Sequence, residues 1–167
     1  AWLEVNFLNI GQGDSTFITT PSGHKILIDG GPDSKILEKL AREMPFWDRK
    51  IDLVILTHPE KDHMTGLIEV LKRYKIENII WTGILRSTPE YQEWQKVINK
   101  EGATMGIARA RQRISFQSRN PQSQSYLDII FPFDELIGQE FDNSNDTSIV
   151  SRLFFGKVSY IFTGDIS

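Results

Sequence analysis

Residues 51–63 constrain this chain more than any other stretch. IDLVIL (51–56) is an almost wholly apolar run, and a short run of that kind reads as a strand buried in the middle of a sheet. Thr57 and then His58-Pro59-Glu60-Lys61-Asp62-His63 follow at once. A titratable cluster between a buried strand and a helix sits where the catalytic loops of layered α/β sheets are found.

The flanking pattern supports a sheet-based fold. Residues 2–9 alternate loosely and are broken by Gly11-Gln12-Gly13-Asp14. Residues 15–20 and 25–29 are two apolar segments joined by Pro21-Ser22-Gly23, which predicts a hairpin. Gly30-Gly31-Pro32 ends the second segment. Asp33 or Ser34 then caps a helix with Ile36, Leu37, Leu40, Ala41 and Met44 on one face, closed by Pro45.

After the 58–63 cluster, a second helix is expected over about 65–74, then a strand over 76–81. A third helix has Thr88 as cap, Pro89 at its first position and Gly102 at its end. Residues 104–116 hold one or two strands, 117–125 form a polar loop, and 126–131 are a strand. Segments 149–155 and 158–163 face each other across Gly156-Lys157, a two-residue hairpin turn. A β-rich start, a βαβα middle and a β-rich end describe one α/β (α+β) domain with mixed sheets.

Composition narrows the function. With no cysteine among 167 residues, disulfides and thiolate metal sites are excluded, leaving any metal to His, Asp, Glu and Asn. The net charge of −3 gives no support to non-specific nucleic-acid binding, although a local basic groove is compatible with it. No apolar run reaches the ~20 residues needed to span a bilayer, and no basic-then-apolar leader is visible. The chain opens on Ala1 and stops at Ser167, each directly beside a strand pattern, so it reads as a domain excised from a larger protein.

Only three histidines occur, and two of them, His58 and His63, lie in the six-residue cluster with Glu60 and Asp62. Pro59 biases His58 towards extended backbone. On an extended strip His58, Glu60 and Asp62 project to one side, and His63 approaches from the next turn. Such a strip can hold two metal ions about 3.5–4 Å apart, the spacing used to activate water and clamp a leaving oxygen. An ordinary polar surface loop is the competing reading. Against it, Asp29 ends one strand and Asp165 follows another, so three strand ends point to one shared site.

Other features are weaker. Arg109, Arg111 and Arg113 alternate and, on a strand, form a basic stripe with Arg119 nearby, either a phosphate contact or a solvated face. Gln12 and Asp14 occupy a glycine turn, His24 reads as exposed, and Trp81, Tyr91 and Trp94 read as core or edge residues.

Together these motifs resemble the metallo-β-lactamase superfamily. More closely, FLNIGQGD (7–14), TPSG (20–23), LIDGGP (27–32), THPEKDH (57–63) and NDTSIV (145–150) resemble the C-terminal β-lactamase-like domain of ComEC-type DNA-uptake (competence) proteins. The resemblance runs from Leu3 to the last residue. It implies an αββα sandwich with the site at the sheet edges, here truncated at the C-terminus. By position, His58 and Glu60 would hold one metal, Asp62 and His63 the second, and Asp165 would bridge them. Asp29 would support rather than ligate, and Asp62 would also orient the attacking water.

Three departures accompany the resemblance. Glu60 stands where the superfamily usually has His. The next His ligand is missing, with Asn145 near its place and Asp146 beside it. The last motif, His-His-Gly-Ser, would fall beyond Ser167, so the site on this stretch is expected to be incomplete and weak or inactive by itself. Carboxylate and amide donors favour Mn or Mg over Zn, and the cofactors expected are two divalent ions, Mn or Zn with Mg as a further option. The activity implied is phosphodiester hydrolysis on DNA, in a soluble domain of a bacterial membrane protein. Alternatives are a free-standing hydrolase of another phosphodiester or ester, and a non-catalytic scaffold that binds DNA or a partner.

Overall fold

In a computed structural model, which describes residues 2 to 166, the chain folds as β1 (Glu4–Phe7), β2 (Thr16–Thr19), β3 (Lys25–Ile28), α1 (Lys35–Glu43), β4 (Lys50–Ile55), α2 (Lys61–Leu71), β5 (Lys75–Trp81), α3 (Pro89–Glu101) and β6 (Thr104–Ile107), then β7 (Arg113–Phe116), β8 (Ser125–Phe131), β9 (Val150–Phe155) and β10 (Val158–Phe162). The first six strands form one sheet in chain order, antiparallel from β1 to β3 and parallel from β3 to β6. The last four form a second, antiparallel sheet in the order β10-β9-β8-β7.

Period-2 alternation divides the interior into two cores. Leu27 and Val54 turn to one face of the larger sheet, where Leu40, Leu67 and Trp94 bring in α1, α2 and α3. Ile26, Ile28, Leu53 and Ile55 turn to the other face and meet Leu127, Ile129, Leu153 and Phe162 of the second sheet. The mixed α/β sandwich expected from the sequence is therefore present. Among the described residues all three α-helices lie against the larger sheet, giving three layers, α, β and β.

Helix boundaries follow local chemistry. At α3 the Thr88 hydroxyl accepts from Tyr91 N, Pro89 occupies the first turn, and Gly102 closes the end. At α1 the Asp33 carboxylate accepts from Lys35 N at 2.7 Å, while Ser34 makes no side-chain cap. The second helix differs from expectation. It starts at Lys61 rather than near Thr65, with Glu60 as its extended N-cap and Glu60 O accepting from His63 N and Met64 N. Asp62 thus lies in a helical first turn, not on an extended strip, and His63 follows it in the same turn. The apolar period begins only at Met64, so the polar first turn carries no amphipathic signal.

The arginine stripe is also corrected. Arg109 and Arg111 lie in the turn between β6 and β7, where Arg111 has φ 75°, and only Arg113 is on a strand. The three side chains therefore do not share a strand face. Arg113 is engaged with Asp128 through two bonds, Nε to Oδ1 at 2.6 Å and Nη2 to Oδ2 at 2.8 Å, and its guanidinium lies 3.8 Å from the Tyr126 ring centre.

Candidate metal centre

The parallel register aligns Ile28, Ile55 and Ile80 on neighbouring strands, so β3 and β4 end at one edge of the sheet. Asp29 follows β3, Thr57 and His58 follow β4, and Asp62 and His63 open α2. Two close backbone approaches bring α2 to that edge. A Cβ on Gly66 would lie 1.8 Å from Gly30 O, and one on Gly13, which has φ +73°, would lie 2.0 Å from Asp62 O. Gly66 N donates to Gly31 O and Gly30 N to His63 O, tying the first turn of the helix to the end of β3.

Asp29 is buried, with a left-handed backbone (φ 56°) that Asp tolerates better than most residues. Its Oδ1 accepts from Thr57 N at 2.8 Å, while its Oδ2 accepts from Thr57 Oγ1 at 2.6 Å and lies 2.9 Å from His63 Nδ1. The Ser15 hydroxyl donates to Asp29 O. Asp29 thus stands behind His63 and fixes Nδ1 as the protonated nitrogen, which aims Nε2 into the site.

His58 and His63 are fully buried, with ring centres 4.1 Å apart. His58 Nδ1 is shared between the hydroxyls of Thr57 at 3.1 Å and Ser148 at 3.2 Å. Among the described residues both Nε2 atoms are buried without a hydrogen-bond partner. Buried polar atoms are seldom left so, and an ion between the rings is the simplest partner for them. Asp165 Oδ2 lies 3.4 Å from His63 Nε2, and ligating atoms of His58, His63 and Asp165 all fall within 4.8 Å of one another. The donor set fits a divalent cation.

Burial lowers the His63 pKa, but the hydrogen bond and charge of Asp29, with Asp165 and Asp62, outweigh it and push it up to about 9. Burial, then the neighbouring His63 charge, holds His58 below the usual imidazole value, against the pull of Asp29, Asp165 and Glu60. In the metal-free chain the positive charge is therefore held on His63 in preference to His58. Asp14 lines a cavity of about 290 Å³ together with Asp29, Thr57 and Gly164. Burial raises its carboxyl pKa; the His63 charge opposes this, while Asp29, Asp165 and Asp62 add to it.

The other residues singled out from the sequence are placed less closely. Asp62 Oδ1 is 4.0 Å from His63 Nε2, at the rim. Glu60 Oε1 accepts from Arg86 Nη2 at 2.7 Å and from the Ser144 hydroxyl. Asn145 is half-buried in the short 3₁₀ turn Ser144–Thr147, and from this segment Ser148 reaches His58. Ser148 also accepts from Asp165 N at 3.2 Å. Sequence reasoning did not pick out Thr57, Ser148, Ser144 or Arg86. The first two lie inside motifs quoted for their neighbours, whereas Arg86 carries no pattern that could have marked it.

Comparison with known proteins agrees with the fold. The family model described as "Metallo-beta-lactamase superfamily" matches residues 8–167. ComE operon protein 3 of Bacillus subtilis (strain 168) is 26% identical over 185 residues, covering 98% of this chain and 22% of that protein. A metallo-β-lactamase of Cronobacter sakazakii (Enterobacter sakazakii), a HARLDQ motif mutant, superposes with a TM-score of 0.58 at 16% identity, over 95% of this chain and 60% of that one. The metallo-β-lactamase fold protein YhfI of Bacillus subtilis superposes with a TM-score of 0.56 at 15% identity, over 93% of this chain and 56% of that one. The chain thus spans about a fifth of the curated relative and under two thirds of these solved structures.

Proposed function

The chain belongs to the metallo-β-lactamase superfamily, and from that premise we propose that it is a metal-dependent phosphodiesterase domain acting on DNA, part of a ComEC-like competence protein. The observation that carries the metal reading is the pair of buried Nε2 atoms on His58 and His63, neither with a hydrogen-bond partner among the described residues. His58, His63 and Asp165 would form the core of the centre, with Asp62 and Glu60 completing it and Asn145 as a further oxygen donor. Two divalent ions, Mn or Zn, would supply Lewis acidity for attack on phosphorus and for the leaving oxygen.

The chain's own residues have separable tasks. Asp29 orients His63, Thr57 and Ser148 orient His58, and Asp62 at the rim positions the attacking water and takes up its proton. A donor set rich in carboxylates suits hard ions and phosphate oxygens. The likeness to ComE operon protein 3 supports the competence assignment. A membrane-bound parent fits this reading; no helix among the described residues is long and apolar enough to cross a membrane.

The reading is tested, on the whole parent protein, by measuring Mn²⁺ and Zn²⁺ uptake and cleavage of single-stranded DNA and bis(p-nitrophenyl) phosphate. Asp62→Ala is expected to retain the fold and lower cleavage by about 10²-fold or more, the scale of a general base. A chain that binds neither ion, with DNA behaviour unchanged in Asp62→Ala, would sink catalysis and leave a DNA- or partner-binding scaffold.

A further inference from the structure

We propose that Arg86 and Ser144 are positioning residues for Glu60, holding Oε1 of its carboxylate so that Oε2 is presented to the metal. This rests on Glu60 belonging to the metal centre, as read above. A glutamate at a helix N-cap with a third of its side chain exposed would otherwise sample several rotamers, and a ligand must be held still.

Three segments converge to hold it. Arg86, between β5 and α3, donates Nη2 to Glu60 Oε1 at 2.7 Å and Nη1 to Phe141 O at 3.1 Å. Its own backbone is fixed alongside, since Leu85 N donates to Gln139 O at 2.8 Å and Leu85 bridges to Glu140. The Ser144 hydroxyl donates to the same Oε1. Both donors therefore use one oxygen, and among the described residues none of the hydrogen bonds is made to Oε2.

The same chain shows what a self-sufficient arginine–carboxylate pair looks like. Arg113 and Asp128 engage through two parallel bonds that consume both carboxylate oxygens. Arg86 instead divides its guanidinium between Glu60 and a backbone carbonyl, and shares its carboxylate oxygen with a hydroxyl. That is how a ligating carboxylate is braced from behind, where such outer partners are worth about 10–100-fold in metal affinity. A guanidinium competing with the metal would be expected to span both oxygens.

The experiment is Mn²⁺ titration of the full chain by calorimetry, with the electron paramagnetic resonance spectrum of bound Mn²⁺ and thermal unfolding of each metal-free protein. Arg86→Ala and Ser144→Ala are each expected to weaken binding, Arg86→Ala by about 10–100-fold, with an altered Mn²⁺ spectrum. Ser144→Thr, which keeps the hydroxyl, restores wild-type affinity. Glu60→Gln reproduces the loss, and Glu60→Gln combined with Arg86→Ala loses no more than Glu60→Gln alone. Unchanged or tighter binding in Arg86→Ala, an unaffected Glu60→Gln, or additive losses in the double variant each overturn the proposal. If Arg86→Ala does not fold, the Ser144→Ala and Ser144→Thr pair decides it. Wild-type chain that takes up no Mn²⁺ or Zn²⁺ defeats the metal reading itself, before any variant is compared.

Discussion

At the residue scale the site turns on Asp29, which holds Thr57 and His63 with one buried carboxylate. Because His63 is raised from 6.5 to about 9, its charge contributes stability to the metal-free chain fully below about pH 6.5. That contribution is lost as pH climbs through about 9. With only three histidines in the chain, imidazole NMR resolves them, and one site histidine is expected to titrate near pH 9. Asn also tolerates the left-handed backbone, so Asp29→Asn tests the charge without straining position 29. It is expected to lower the His63 titration and to weaken metal binding about 10–100-fold; a titration left near pH 9 would contradict the role given to Asp29. Asp29, His58 and Asp165 stood out in the sequence because each is a titratable residue close after an apolar strand, and His63 because it completes the short cluster begun by His58. Ser148 and Arg86 were not, since a hydroxyl and a lone arginine in loops look alike whether they face a site or solvent.

Elements were legible where their ends carry capping chemistry. Thr88-Pro89 and Gly102 bracket α3 as expected, and Gly156-Lys157 connects β9 and β10, whose residues Phe155 and Val158 pair. The start of α2 was hidden by its polar first turn. The alternation in 109–113 suggested a strand where Ala110 N and Arg111 N instead bond Pro132 O and Ile129 O from a turn. No local pattern announces that a backbone will pack against another backbone, and that is what sets the position of α2. A Cβ at Gly66 would overlap Gly30 O, which has no side-chain freedom to yield. Gly66→Ala is therefore expected to cost about 3 kcal/mol or more in chemical denaturation, the upper range for overpacking, and to weaken metal uptake by displacing His63. A loss under about 1 kcal/mol would show that the contact relaxes cheaply.

At the scale of the whole molecule, the order of elements along the chain made the sandwich readable, and the division of the interior into two cores follows from strand alternation. Which layer contributes which part of the site was not readable, because that depends on how two sheets meet. Asp29, His58 and His63 come from the six-stranded sheet and α2, whereas Ser148 and Asp165 flank β9 and β10 of the other sheet. An ion held between them would bind only the folded form, so at 100 times its dissociation constant it would add about 2.7 kcal/mol to stability, read as a rise in Tm with Mn²⁺ or Zn²⁺. Among the described residues the six-stranded sheet is enclosed by core on both faces, and the four-stranded sheet rests on one. Without metal, the amides of β9 and β10 should exchange with deuterium through local opening, well before those of β4. Metal would then act as a rivet between a thick half and a thin one: added ion should slow exchange in β9 and β10 while leaving β4 nearly unchanged, and equal slowing in both would show that the halves open only together.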